Sequence, residues 1–211
     1  MKKKNIVYGT PSELDGTEHI ADYTYENQEL PNSFSYRGLI PGVLNQGNTS
    51  TCVPHAVSSI LDQDSLKNGN PTSFNMSIYN IYDKKDNEGD GMTFKRALSI
   101  LKNTGAVTTK EYRKKDYDNA IKIREYAMIK NIFNLKYSIL LNGPCLIATM
   151  VRDPYSMEYK GYNNYGGHAV SCVGDEEGIE IRNSGEDWGD EGYTHMKYED
   201  FGNILEATAL F

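Results

Sequence analysis

At 211 residues, 38% of them hydrophobic, the chain is long enough to bury a core of its own as one domain, single or two-lobed, with no covalent staples. Its net charge of −7, with no clustered Lys/Arg stripe, argues against nucleic acid as a partner. Three cysteines cannot all pair, no apolar stretch follows Met1–Lys4 before Asn27, and the longest apolar run, Cys145–Val151, is too short to span a bilayer. A cytoplasmic protein with no signal peptide and no membrane partner is expected; its oligomeric state has no signature in the sequence.

Residues 1–29 are polar and acidic, with turn signals at Pro11 and Gly16 and aromatic Tyr23 and Tyr25, and read as an N-terminal arm on a larger domain, 30–211. Leu30–Leu44 is expected to be extended, because Pro31 and Pro41 keep their preceding residues out of the helical region. Val53, Ala56, Val57, Ile60 and Leu61 then fall at helical spacing, and Asn68 with Gly69 supplies a stop, which predicts a helix over about Cys52–Lys67. Pro54 lies in its first turn, where a missing N–H costs nothing. A second helical stretch follows Pro71–Asn75, carrying Met76, Ile78, Tyr79, Ile81 and Tyr82, and breaks in the acidic loop Asp86–Gly91. A third is expected over Met92–Lys102, with Phe94, Ala97, Leu98 and Leu101 on one face. Lys110–Lys115, interleaved with Glu111 and followed by Asp116, reads as solvated surface, and Asn119–Asn142 as one long helical stretch with Lys136 as a point of interruption.

From Gly143 the texture changes. Strands are expected at Pro144–Val151, His168–Val173, Gly178–Arg182, Gly192–Lys197 and Ala207–Phe211. Helices first and strands last indicate an α+β fold of two lobes, a helical one over about 45–140 and a β one over about 141–211 with part of the N-terminal segment.

The chemistry gathers around Cys52. It opens the expected helix after a glycine-containing turn, so its sulfur sits at the positive end of the helix macrodipole, which favours thiolate over thiol. Gln46, six residues earlier, can fold its side-chain amide back and, with the Cys52 backbone N–H, supply two donors to an oxyanion. Four histidines compete to be the base. His19 lies in the arm and His195 alternates in a terminal strand. His55 shares the helix of Cys52, and helical side chains lean toward the N-terminus, so it would touch the cysteine from the side. His168, on a strand preceded by Gly166 and Gly167, can face the sulfur across a cleft and is preferred. Asn183, ending the next strand, would accept the imidazole N–H and orient the ring without adding charge. Cys145 and Cys172 sit in apolar runs and read as buried free thiols. No paired spacing suits a metal, and Gly89-Asp90-Gly91 lacks the rest of a phosphate loop, so neither metal nor cofactor is expected.

The order Cys52, His168, Asn183 with these flanks resembles the papain-like cysteine peptidases of C1 type. Leu30–Arg37 is similar to that family's mature-domain opening, Asn45-Gln46-Gly47 with Cys52 to its oxyanion and nucleophile segment, and Asn142-Gly143-Pro144 to the turn before a core strand. Gly167-His168-Ala169-Val170 resembles its histidine strand, and Asn183-Ser184 with Asp187–Tyr193 its asparagine loop. Tyr8–Pro11 and Asp22-Tyr23 resemble the short N-terminal extension of bacterial and viral members, which lack the long prodomain and the disulfides. The resemblance implies a helical lobe with a central Cys-bearing helix packed against an antiparallel, β-barrel-like lobe, and a thiol endopeptidase acting on protein or peptide substrates. It also implies a substrate cleft bordered by Gly91, Met92, Ala148 and Gly166.

Two departures stand out. The family's Asn-Ser-Trp-Gly is here Asn183-Ser184-Gly185, and Trp188 is the only Trp, so the indole that covers the Asn–His hydrogen bond is missing. The family's Cys-Gly-Ser-Cys-Trp is here Thr49-Ser50-Thr51-Cys52-Val53. Two other readings therefore stay open: a papain-fold module that binds peptides without turnover, and an acyl or amide transferase using the same residues.

Overall fold

The computed structural model describes residues 7–8, 21–22, 29–39, 42–69, 75–85, 91–150, 167–176, 178–185 and 188–211. Two short strands, β1 (Val7–Tyr8) and β2 (Ala21–Asp22), pair with each other, and β3 (Phe34–Ser35) lies within the expected extended stretch, followed by one 3-10 turn at Arg37–Leu39. The helices α1 (Cys52–Lys67), α2 (Ile78–Tyr82), α3 (Phe94–Asn103) and α4 (Thr109–Lys114) come next. Then follow β4 (Tyr126–Met128), α5 (Ile132–Asn142), β5 (Cys145–Met150), β6 (Gly167–Asp175), β7 (Ile179–Arg182), β8 (Tyr193–Met196) and β9 (Ile204–Leu210).

The sheet runs β1-β2-β4-β9-β5-β6-β7-β8, with β3 added beside β6. It is open along this path, and every pairing is antiparallel except β2 with β4. Strand periodicity sorts its two faces. Leu146 and Ala148 of β5 and Ala169 of β6 pack with α1 and α3, whereas Cys145, Ile147, Val170 and Cys172 pack with Leu135 and Ile139 of α5. Each fully buried Ile or Leu contributes about 1.5–3 kcal/mol relative to leaving it exposed.

Helix α1 has the expected bounds, but twelve of its 16 residues are buried. It is covered by β5 and β6 on one side and by α2 and α3 on the other, which makes it a central helix and not a surface one. At its close approach to the sheet, Ser171 Oγ donates to the Ala56 carbonyl at 3.1 Å.

Three sequence expectations need correction. The single helical stretch over 119–142 is instead an extended run, strand β4 and a shorter helix. Ile123, Ala127 and Ile129, all buried, keep a period near two; Ile121 pairs with Ala106, and β4 pairs with β9. Asn131 then caps α5, its side chain accepting from the Asn134 N–H. The second concerns Lys110–Lys115, which is solvated as expected, with no residue of Thr109–Lys114 buried, but is also a helix, α4. Thr108 and Glu111 form a reciprocal capping box there. Third, α2 and α3 start later than expected, at Ser77 and Thr93 caps, leaving Met76 and Met92 buried just ahead of them. The expected stretches 71–74, 86–90 and 151–166 lie outside the described residues.

Candidate active site

The turn that delivers Cys52 is stitched by its own polar groups. The Gly47 N–H donates to Asn45 Oδ1 at 2.8 Å, Thr49 Oγ1 donates to the Gln46 carbonyl at 2.6 Å, and Gly47 itself has φ +55°, a conformation that glycine adopts without strain. Cys52 follows as the first residue of α1, where the backbone N–H groups have no intrahelical acceptor. Opposite it, His168 lies at the start of β6, paired across the sheet with Thr149, and Asn183 follows directly on β7. The Asn183 N–H donates to the Gly192 carbonyl at 2.9 Å, which folds the loop after β7 back on itself. Gly192 has φ +86°, and a Cβ there would lie 2.7 Å from Val43 Cγ2.

The three side chains meet in one chain of hydrogen bonds. His168 Nε2 lies 2.7 Å from Asn183 Oδ1, and the imidazole also hydrogen-bonds Cys52. With Nε2–H donating to the amide oxygen, Nδ1 is the nitrogen left for the sulfur. Burial pushes the Cys52 thiol up, but the hydrogen bond and positive charge of His168, joined by the backbone N–H groups of Ala169 and Val53, outweigh it and leave its pKa lowered. The imidazole responds in mirror image: burial pulls it down, and the bonds to Cys52 and Asn183 more than reverse that. Both shifts run toward the charged pair of thiolate and imidazolium.

Gln46 is half-buried and tied to the residue after Asn183. Its N–H donates to the Ser184 carbonyl at 3.0 Å, Ser184 Oγ donates to its Oε1, and its Nε2 donates to the Thr49 carbonyl at 2.7 Å. An amide nitrogen carries two hydrogens, so that last bond uses one of them. Besides His168, the donors to the sulfur are the backbone N–H groups of Ala169 and Val53.

His55 has a different setting. It is buried in the first turns of α1, with Nδ1 2.8 Å from the Thr51 carbonyl, and burial, with help from the charge of Arg182, holds its pKa down despite that bond. It acts as a packing residue beside the helix start. Of the expected cleft residues, Met92 is buried in the core cluster against which Cys52 and Ala148 pack, Gly91 is exposed, and Gly166 lies outside the described residues. Among the described residues no atom lies within 4 Å of where a Cβ on Gly185 would be.

Two contributors escaped the sequence reading. The Ser184 hydroxyl holds Gln46, which its place after Asn183 does not reveal, and the Ala169 N–H reaches the sulfur because a strand, not a helix, flanks it. The buried Arg182, which with Glu180 puts two charges into the short strand Ile179–Arg182, was visible as an anomaly.

Comparison with known proteins supplies the family. Its profile, papain family cysteine protease, matches residues 30–208. No curated protein sequence matches the chain. Among solved structures, xylellain, a cysteine protease from Xylella fastidiosa, is similar at 21% identity and TM-score 0.75, over 100% of this chain and 97% of that one. The Carica candamarcensis cysteine protease CMS1MS2, in complex with E-64, is similar at 18% identity and TM-score 0.67, over 86% and 98% of the two chains. The proform of the ragweed pollen allergen and cysteine protease Amb a 11 is similar at 17% identity and TM-score 0.72, over 88% and 67%. The two-lobed α+β arrangement and the match over 30–208 agree, and the chain belongs to the papain family of cysteine proteases.

Proposed function

We propose that the chain is a thiol endopeptidase that works through Cys52, His168, Asn183 and Gln46. The observation that carries this reading is the hydrogen-bonded row Cys52, His168, Asn183, in which thiol and imidazole are shifted toward the charged pair. The Cys52 thiolate attacks a peptide carbonyl carbon, and the carbonyl electron pair moves onto oxygen, where the Cys52 N–H and the remaining Gln46 amide hydrogen receive it. The tetrahedral species collapses as His168 gives its proton to the departing amine nitrogen. Water then loses a proton to His168 and attacks the thioester, releasing the acid and restoring the thiolate. Asn183 holds the ring through both stages.

Substrate backbone would lie along exposed Gly91 on one wall and half-buried Ala148 on the other. Three free thiols support a reducing, cytoplasmic setting, and the family match beginning at residue 30 supports an arm of 1–29 ahead of the catalytic domain. The test is incubation with an unstructured protein such as casein, with product ends identified by mass spectrometry. New free carboxyl and amino ends that vanish in Cys52→Ala support the reading. Substrate bound but returned uncut would favour the binding module, and product ends carrying an added amine would favour the transferase.

A further inference from the structure

Arg182 is a charged side chain only 6% exposed, in the position directly before Asn183. Its guanidinium spans two other segments. Nη1 donates to Ser59 Oγ, two turns along α1 from Cys52, and Nη2 donates to the Gly42 carbonyl at 3.0 Å, in the stretch leading to Gln46. Every segment it joins carries a member of the proposed site. The titratable groups facing it are His55 and Asp62 of α1, each of which feels its charge. His55, Ser59, Arg182, Asn183 and Ser184 also share the lining of a cavity of about 10 Å³, the size of a single water.

We propose that Arg182 is a positioning residue, whose fork fixes the nucleophile helix and the Gln46 turn against the strand end that holds Asn183. The inference rests on the endopeptidase reading. A guanidinium suits the task because its planar N–H groups meet two acceptors in different directions at once, whereas an ammonium on a flexible stem fixes neither direction. Arg182 touches no reacting atom. It acts through Asn183, and hence through the orientation of His168, and through the Gln46 turn, which is held to the same strand end by the Gln46 N–H to Ser184 carbonyl bond of 3.0 Å.

The experiment is a double-mutant cycle between Arg182→Lys and Asn183→Ala, read as kcat and KM on a peptide. The lysine variant keeps the charge and loses the fork. It is expected to melt as a folded protein, to lose up to about 10-fold in kcat with KM little changed, and to lose much less when Asn183 is already alanine. Parent kcat in Arg182→Lys, or the same kcat loss in both backgrounds, would overturn the proposal. If lysine does not hold the fold, Ser59→Ala removes only the helix end of the bridge and is read by the same cycle. Failure of the endopeptidase reading would show separately, as a parent with no Cys52-dependent hydrolysis. The bridge would then be read from the pH dependence of Cys52 alkylation, which Arg182→Lys should shift to higher pH and which an unshifted profile would contradict.

Discussion

The three cysteines of this chain place the same side chain in two environments. Cys145 and Cys172 are direct cross-strand partners on β5 and β6, both fully buried. Burial pushes Cys145 up to about 12, against a hydrogen bond with Ser138, and raises Cys172 well above the usual thiol value. Cys52 is also largely withdrawn from water, and burial acts on it in the same direction. What differs is the company: an imidazole held by Asn183, and two backbone N–H groups directed at the sulfur. The comparison teaches that position at a helix start prepares a thiol but does not activate it, and that the deciding groups come from β6 and the end of β7.

The largest expected effect breaks the comparison outright. Cys52→Ala and His168→Ala should each lower peptide hydrolysis by on the order of 10⁶-fold, as removal of nucleophile or base does in other hydrolytic triads. Cys145→Ala and Cys172→Ala should keep parent kcat and cost only stability, about 1 kcal/mol each, measured by denaturant unfolding. A loss of activity without loss of stability in Cys145→Ala would make the core thiols part of the chemistry.

Gln46→Ala comes next. One oxyanion donor is worth roughly 100-fold to 1000-fold in kcat, with Cys52 alkylation largely unchanged because Gln46 makes no bond to the sulfur. Parent-like turnover would reduce Gln46 to a turn residue bonded to Thr49 and Ser184.

The Asn183 effect should be smaller still. Gly185 brings no side chain to cover the part-buried His168–Asn183 bond, and water competes for a hydrogen bond without such cover. Asn183→Ala is expected to cost about tenfold in kcat, the worth of one hydrogen bond of roughly 1.4 kcal/mol. Gly185→Trp, at a φ that side chains accept and with no described atom within 4 Å of its Cβ, should fold and make the same Asn183→Ala change more costly. If Asn183→Ala is as inactive as Cys52→Ala in the parent, the bond is already shielded.

The smallest effect concerns stability alone. Burial raises the Asp62 carboxyl to about 6 from 3.8, although it accepts the Met76 N–H at 2.8 Å. The folded chain thus holds this proton more tightly than the unfolded one, so the contribution to stability is complete below about pH 4 and is lost as pH rises through about 6. Asp62→Asn, which keeps an acceptor for Met76, should flatten thermal stability across that window. An unchanged pH dependence would place the titrating group elsewhere.

How far the sequence could be read depends on how local the deciding forces are. The bounds of α1 were legible because apolar spacing and the Asn68-Gly69 stop act within one segment. The strands β5 to β9 were legible from their short apolar runs and flanking glycines. The stretch 119–142 was not, because Ile121, Ile123 and Ile129 satisfy a loose helical count, and only pairing with Ala106 and β9 decides for extended chain. Thr108 with Glu111, three residues apart, carries the capping signal of α4 within the segment itself. In the site, the spacing and flanks of Cys52, Gln46, His168 and Asn183 were visible, while the Ser184 hydroxyl, the Ala169 N–H and the Arg182 fork exist only once distant segments meet.

Selective alkylation of the native protein at controlled pH, followed by peptide mapping, tests the activated thiol most directly. A neutral alkylating agent at about pH 6, well below the roughly 8.5 of a free thiol, is expected to modify Cys52 and leave Cys145 and Cys172 untouched until the protein unfolds, with His168→Ala abolishing the low-pH reaction. Equal modification of all three cysteines, or a Cys52 reaction that begins only above about pH 8 and is indifferent to His168, would contradict the account.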